Sequence, residues 1–414
     1  MERGELKACD ACRIAKRRCT KEFPACGRCE LKGLECAYPV RPTFIVYGLG
    51  DRDADCFNAQ AAGNHTGGHT LEDLQHLGIT NTLDPHRSGS QLGSFIGPSL
   101  IDLQTAWFLA PEAWAIAPIE TSRLTPICST VVRRYIAKIQ GWLKEWVDKG
   151  SNPFIHSQLY KNRFPRPIQD AFTVLSSYLS RSPATEDMIF RIMEERSSEI
   201  VKGQNRPQAQ PNLDTFDHIC RVQALLIYSF IRLFNGDIRQ RYLAEQQLPI
   251  LRLWTNQMLT TATHAAQDGT LLLSNLIEPD ESGQNVGTLQ ERLEKLLWHA
   301  WILSESLRRT WLVSQAVQSI YITMQTREIE CPGGVMFTTR RGVWEAESAF
   351  AWTKMCAERN VGFMHRNDTE RVLVEETPGE VDHFSLAVME LDFGLEKIQR
   401  WGVNSVVQMD FPVA

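Results

Sequence analysis

The stretch CDACRIAKRRCTKEFPACGRCELKGLEC, from Cys9 to Cys36, holds six of the chain's 11 cysteines. Cys9, Cys12 and Cys19 are spaced C-x2-C-x6-C. After six more residues, Cys26, Cys29 and Cys36 repeat that spacing at an offset of 17. Thiols two residues apart place two thiolates on one side of a tight turn, which is how a chain begins a tetrahedral zinc site. The count then constrains the metal. One tetrahedral zinc leaves two of the six sulfurs idle, and two separate zincs need eight. Six thiolates serve two Zn(2+) ions if two sulfurs bridge both. The repeat points to Cys9 and Cys26, the equivalent first cysteines of each half, as the bridging pair.

The residues between the cysteines are charged unequally. Arg13, Lys16, Arg17, Arg18 and Lys21 crowd the first half, with no acid between Ala11 and Lys21. The second half balances Arg28 and Lys32 against Glu30 and Glu35. A compact basic face on a metal-rigidified module is suited to phosphate and base-edge contact. A short helix is expected directly after Cys12. On it Arg13, Lys16 and Arg17 would share a face able to enter a major groove.

These residues resemble the fungal six-cysteine binuclear zinc-cluster transcription factors. The match rests on all six cysteines, the Cys-Arg-x-x-Lys core at Cys12, Arg13 and Lys16, and Pro24 two residues before the fourth cysteine. The resemblance implies two zincs, bridged by the first and fourth cysteines. It also implies that Lys16 reads a base step, within a CGG-like DNA triplet, and that Pro24 shapes the loop between the halves. Two short helices around a two-zinc cluster, at 1–45, are the expected fold of this finger.

Competing readings are weaker. A disulfide framework belongs to secreted chains, and the opening residues MERGELK show neither an apolar run nor a cleavage site. A single-zinc or redox module leaves two thiols without a role. A zinc-dependent protein-interaction module without specific DNA binding is the alternative functional class, together with a ligand-gated co-regulator.

The remaining sequence bounds the rest. At 414 residues, with 43% hydrophobic content and 11 tryptophans, the chain has room for a sizeable core beyond the finger. The richest apolar run, Ala224 to Phe230, is far shorter than a membrane span, so a soluble, intracellular protein is expected. Residues 1–45 carry ten basic and six acidic side chains, and the remainder 34 and 43. The formal +4 against −9 places nucleic-acid contact in the finger alone. Cys56, Cys128, Cys220, Cys331 and Cys356 are isolated and read as reduced thiols without a role.

Residues 46–100 are rich in glycine, serine and aspartate, and no periodic apolar pattern lasts there. They read as a flexible linker. The stretch has no heptads, which speaks against a coiled-coil dimer beside the finger, although the resemblance admits a homodimer. His65 and His69 lie among glycines and are not expected to hold metal.

From about residue 101 the pattern becomes helical, and 101–414 is expected to be an all-α regulatory domain. Val131, Val132, Tyr135, Ile136, Ile139, Trp142, Leu143, Trp146 and Val147 follow helical spacing, and Gly150 ends the run. Ile168 to Leu179 and Met188 to Met193 repeat the pattern. Residues 213–234 are apolar on most faces, as in a central buried helix. A long pattern runs from Leu289 to Tyr321.

Within it, Glu305, Arg308, Arg309 and Trp311 form an E-x-x-R-R-x-W string that is similar to the middle region of fungal-specific transcription factors. Phe337 to Ala346 and Phe393 to Trp401 are similar to regulators of fungal secondary-metabolite clusters. At residue level, Trp298, Trp301 and Trp311 read as core aromatics and the charged residues as helix pairs. The loop Cys331 to Met336 is richer in glycine than that resemblance implies.

No glycine-rich phosphate loop, metalloprotease histidine pair or nucleophile elbow is present, so no enzyme is expected. His156, His218, His299 and His365 read as surface or satisfied core residues. The resemblance implies a nuclear, sequence-specific regulator of RNA polymerase II promoters, pathway-specific for secondary metabolism, with double-stranded DNA and the transcription machinery as partners. Limited proteolysis of the full chain should cut first within 46–100 and release a stable fragment beginning near residue 101. Resistance of residues 60–70 would contradict the linker reading.

Overall fold

The computed structural model describes residues 9–21, 25–34, 36, 103–118, 129–204, 213–273, 288–326 and 332–409. The stretch 46–100 lies outside the described residues, as do Pro24, Cys56, Cys128 and Cys331. The chain divides into two compact units, one holding the cysteine repeat and the other the helices from residue 103 onward.

The first unit contains two short helices, α1 (Asp10–Ile14) and α2 (Gly27–Lys32). Each begins just after the first cysteine of its half. The buried residues are Cys9, Cys12, Cys26 and Cys29, packed against Ala11, Cys19 and Cys36. The larger aliphatic side chains do not join them: Ile14 is 77% exposed and Leu31 is 90% exposed. Among the described residues of this unit the interior is sulfur, and no large aliphatic side chain contributes a hydrophobic core.

In the second unit, helix follows helix: α3 (Ser129–Lys149), α4 (Arg166–Leu179), α5 (Glu186–Gln204), α6 (Thr215–Phe234), α7 (Ile238–Glu245), α8 (Leu248–Gln267), α9 (Thr270–Leu273) and α10 (Leu289–Thr326). A hairpin of β1 (Met336–Thr338) and β2 (Phe363–His365) then brackets α11 (Ala349–Glu358). The chain closes with α12 (Val372–Glu375), α13 (His383–Phe393) and α14 (Leu395–Met409). Two short 3-10 segments, Leu103–Leu109 and Pro111–Trp114, precede α3.

The apolar periodicity marks these helices well. In α3, Val131, Val132, Tyr135, Ile139, Trp142, Leu143 and Trp146 are buried, and Gly150 stops the helix at a φ of 75°. Helix α6 is buried on nearly every face, as its composition predicts.

Helix α10 spans 38 residues, about 57 Å at 1.5 Å per residue. Its middle is buried on all sides, packed against α8, α9, α11, β1 and the segment at 103–109. Trp298, Trp301 and Trp311 are core aromatics there.

The same buried helix carries charge. Glu305, Arg308 and Arg309 are fully buried, and Asp382 at the start of α13 is 1% exposed. Arg308 donates to Glu305 at 3.0 Å and to the Phe108 carbonyl at 3.1 Å. Arg309 donates to Glu305 at 2.9 Å, to the Pro153 carbonyl at 3.0 Å, to the Thr338 carbonyl at 3.0 Å and to Asp382 at 2.6 Å.

The Thr338 backbone N–H and hydroxyl donate back to Glu305 at 2.9 and 2.7 Å. Trp344 and Phe384 rings lie 4.3 and 4.7 Å from the Arg309 guanidinium. Two cations face two anions, and the cluster ties five segments to α10. Burial alone raises the Glu305 carboxyl, but Arg308 and Arg309 outweigh it and hold it below its usual range. The sequence reading of helix pairs is right, and the network extends well beyond them.

The glycine-rich loop has a packing reason. Gly333 takes a φ of 94°, and a Cβ there would meet the Ala117 carbonyl oxygen at 2.7 Å. A Cβ at Gly334 would meet the Arg366 Cβ at 2.7 Å. The close approach lets Ala117 and Gly334 exchange backbone hydrogen bonds of 3.1 and 2.9 Å. Arg366 in turn pairs with the buried Asp392.

Removing one partner of a buried ion cluster leaves an uncompensated charge. Glu305→Ala should therefore destabilise the helical unit by about 3–5 kcal/mol. Lys144→Ala, which removes only an exposed pair with Asp148, should stay within about 0.5 kcal/mol. Denaturant unfolding followed by tryptophan fluorescence checks both.

Candidate metal centre and nucleic-acid interface

Backbone geometry repeats with the sequence. Arg17 N–H donates to the Cys12 carbonyl at 3.0 Å, and 17 residues on, Leu34 N–H donates to the Cys29 carbonyl at 2.9 Å. Between these partners the chain turns left-handed, at Lys16 with a φ of 48° and at Gly33 with a φ of 59°. The two halves thus end their helices in the same way. Gly33 adopts that conformation without strain, whereas Lys16 adopts it against a side-chain cost of about 1–2 kcal/mol.

This corrects the expected helical face. Helix α1 stops at Ile14, so Lys16 sits in the turn and Arg17 beyond it. The turn carries the chain round so that Cys19 meets Cys9 and Cys12.

The sulfurs form two overlapping sets. Cys9, Cys12, Cys19 and Cys26 make one, and Cys9, Cys26, Cys29 and Cys36 the other, with all ligand atoms of a set within 4.8 Å of one another. Only Cys9 and Cys26 belong to both, which are the bridging residues that the repeat implies. Their sulfurs are 3.7 Å apart. Cys9 to Cys29 and Cys12 to Cys26 are also 3.7 Å. A zinc tetrahedron with bonds near 2.3 Å has edges of about 3.8 Å, so these separations fit two tetrahedra sharing the Cys9–Cys26 edge.

Charge balance favours cations here. Burial pushes the Cys9 thiol up, and it pushes Cys29 up to about 12. A backbone N–H at Cys29 leads the effects that lower Cys26 to about 6. Six neighbouring thiolates are mutually repulsive, and two divalent ions supply the charge that lets all six ionise.

Around the sulfurs, Cys26 N–H donates to Cys36 Sγ at 3.2 Å, Gly27 N–H to Thr20 Oγ1 at 2.9 Å, and Arg28 Nη1 to Cys12 Sγ at 3.7 Å. Sequence reasoning missed Thr20 and Arg28, because neither breaks the cysteine spacing.

Residues 7–43 match the family model described as the fungal Zn(2)-Cys(6) binuclear cluster domain. The chain carries this cluster domain. A domain of this kind binds two zinc ions, and Cys9, Cys12, Cys19, Cys26, Cys29 and Cys36 form the two sulfur groups that could hold them. The whole chain is similar to a protein called Transcription factor gsfR2 from Penicillium aethiopicum. The two are 24% identical over 407 residues, which cover 95% of this chain and 94% of that protein. No solved structure matches.

Beside the cluster, Lys16, Arg17, Arg18 and Lys21 are exposed, and Arg13 lies on α1. Of these, Lys16 and Lys21 both have left-handed backbones, Lys21 with a φ of 60°. The four histidines fit the core or surface reading. His156 is buried against Trp298, Trp301 and Trp344, and burial lowers it to about 3. His218 contacts Arg221 at 2.8 Å, and burial lowers it to about 4. His299 donates to the Lys295 carbonyl and His365 to that of Gly334.

Since Cys9 and Cys26 belong to both sulfur groups, Cys9→Ser or Cys26→Ser should lose both zincs. Cys12→Ser and Cys36→Ser each remove a ligand from one set only and should retain more metal. Zinc per chain by elemental analysis, after removal of loosely bound metal, checks the difference.

Proposed function

We infer that this protein is a sequence-specific DNA-binding transcription regulator acting on RNA polymerase II promoters. The observation that carries the inference is the paired sulfur array with four exposed cations, Lys16, Arg17, Arg18 and Lys21, gathered in its first half, where the second half exposes only Lys32 among its described cations. The fold of the cluster domain comes from metal, at about 10–16 kcal/mol per structural ion, which frees its surface for contact. Lys16, held in the turn after α1, is assigned to base edges, with its ammonium directed at guanine O6 and N7 in CGG-like triplets. Arg13, Arg17, Arg18 and Lys21 are assigned to phosphates.

A zinc-dependent protein-interaction module is less well supported, because it gives no reason for four exposed cations to gather without an acid between them in the first half of the repeat. The likeness to Transcription factor gsfR2 runs through the helical unit as well as the finger, which supports a regulator as a whole. With the resemblance at 337–346 and 393–401, it favours a pathway-specific regulator of a fungal secondary-metabolite gene cluster.

On this reading the protein works in the nucleus, by binding rather than catalysis. Residues 1–45 bind DNA, 46–100 link, and 101–414 regulate or recruit the transcription machinery. Among the described residues no helix is long and apolar enough to cross a membrane. A homodimer is consistent with triplet recognition, and selecting preferred sites from random duplexes would report it through the spacing of paired triplets.

Lys16→Gly separates folding from reading. Glycine accepts the left-handed turn, so the variant should retain two zincs. It should still lose about 1–3 kcal/mol at the preferred site and relax its sequence choice. Arg18→Ala should weaken binding to all duplexes alike and reduce the salt slope by about one unit. Titrations of specific and scrambled duplexes over a salt series check both. Equal losses on the two duplexes for Lys16→Gly would remove the base-reading role.

A further inference from the structure

Arg28 is a cation that the DNA-facing half does not account for. It lies on α2, in the second half of the repeat, yet its Nη1 is 3.7 Å from the sulfur of Cys12 in the first half. Cys12 belongs to only one of the two sulfur sets. Arg28 is half-buried, unlike the exposed Lys16, Arg17, Arg18 and Lys21. The position equivalent to Arg28, 17 residues earlier, is Ala11, so the repeat supplies no matching donor on the other side.

The cluster has a use for this charge. Six thiolates with two divalent zincs carry a net charge of about −2, and N–H donors to the sulfurs are what a protein offers to offset it. The Cys26 N–H serves Cys36 in this way at 3.2 Å. Arg28 serves Cys12 with a full positive charge, and a charge-assisted donor is stronger than a neutral one.

We propose that Arg28 is a positioning residue of the zinc cluster, clamping α2 onto the Cys12 thiolate and slowing loss of metal, and that it is not a phosphate contact. The inference rests on the two-zinc reading of the cysteines. A wild-type protein holding one zinc would defeat that reading before Arg28 is tested.

The test uses the zinc-loaded full chain and a chromogenic chelator in excess, with release followed in time. Arg28→Gln should release zinc roughly 10-fold faster than wild type, and Arg28→Lys should fall between them. The salt slope of DNA binding should stay at the wild-type value in both, whereas Arg18→Ala lowers the slope and leaves zinc release unchanged. Should Arg28→Gln fail to load two zincs, the release rate of Arg28→Lys decides. Wild-type release rates in the Arg28 variants overturn the proposal. So does a slope reduced by about one unit, which would place Arg28 on a phosphate.

Discussion

The edge shared by Cys9 and Cys26 is the constraint on which the finger depends. Both sulfurs belong to both four-cysteine groups, so each group takes ligands from both halves of the repeat. Among the described residues the interior holds cysteine and little else, while Ile14 and Leu31 face solvent at equivalent positions of the two halves. Stability therefore comes from metal bonds, and the surface is free of the demands of a core. That freedom is what permits five cations within nine residues, a density that a small hydrophobic domain would resist through self-repulsion.

The same constraint shapes the chain beside the metal. Once Cys9 and Cys12 are fixed, Cys19 must return to them within seven residues. Helix α1 therefore ends after one turn and the backbone goes left-handed at Lys16. At the equivalent point the second half uses Gly33, which has no side chain to strain. A lysine held where glycine fits better is a residue retained at a cost in stability, and such positions concentrate at functional sites.

The helical unit is organised by a different interaction. The middle of helix α10 is buried on every side, yet it carries Glu305, Arg308 and Arg309. A fully apolar helix would pack there in several rotations and registers. The charges admit one, in which Arg309 reaches Asp382, Thr338 and the Pro153 carbonyl together. Leaving any of these groups unpaired in the interior is costly, so the network selects a single arrangement of β1, α13 and the segment at 103–109 around α10.

The sequence alone determined whatever is encoded at short range. Cysteine spacing pointed to the two overlapping sulfur groups and to Cys9 and Cys26 as the pair common to both, because a tetrahedron fixes how far apart its ligands stand. Apolar periodicity located α3, α4, α5, α6 and α10, because a helix must turn one face inward, or all faces when it is central. Only the tertiary structure decided what joins distant parts. Arg309 and Asp382 are 73 residues apart with no period linking them. Gly333 and Gly334 became intelligible only when Ala117 and Arg366 were seen against them. Arg28 looks like one more balanced surface charge until the Cys12 sulfur lies beside it. Such contacts depend on where the fold brings separate segments together, and local spacing carries no record of that.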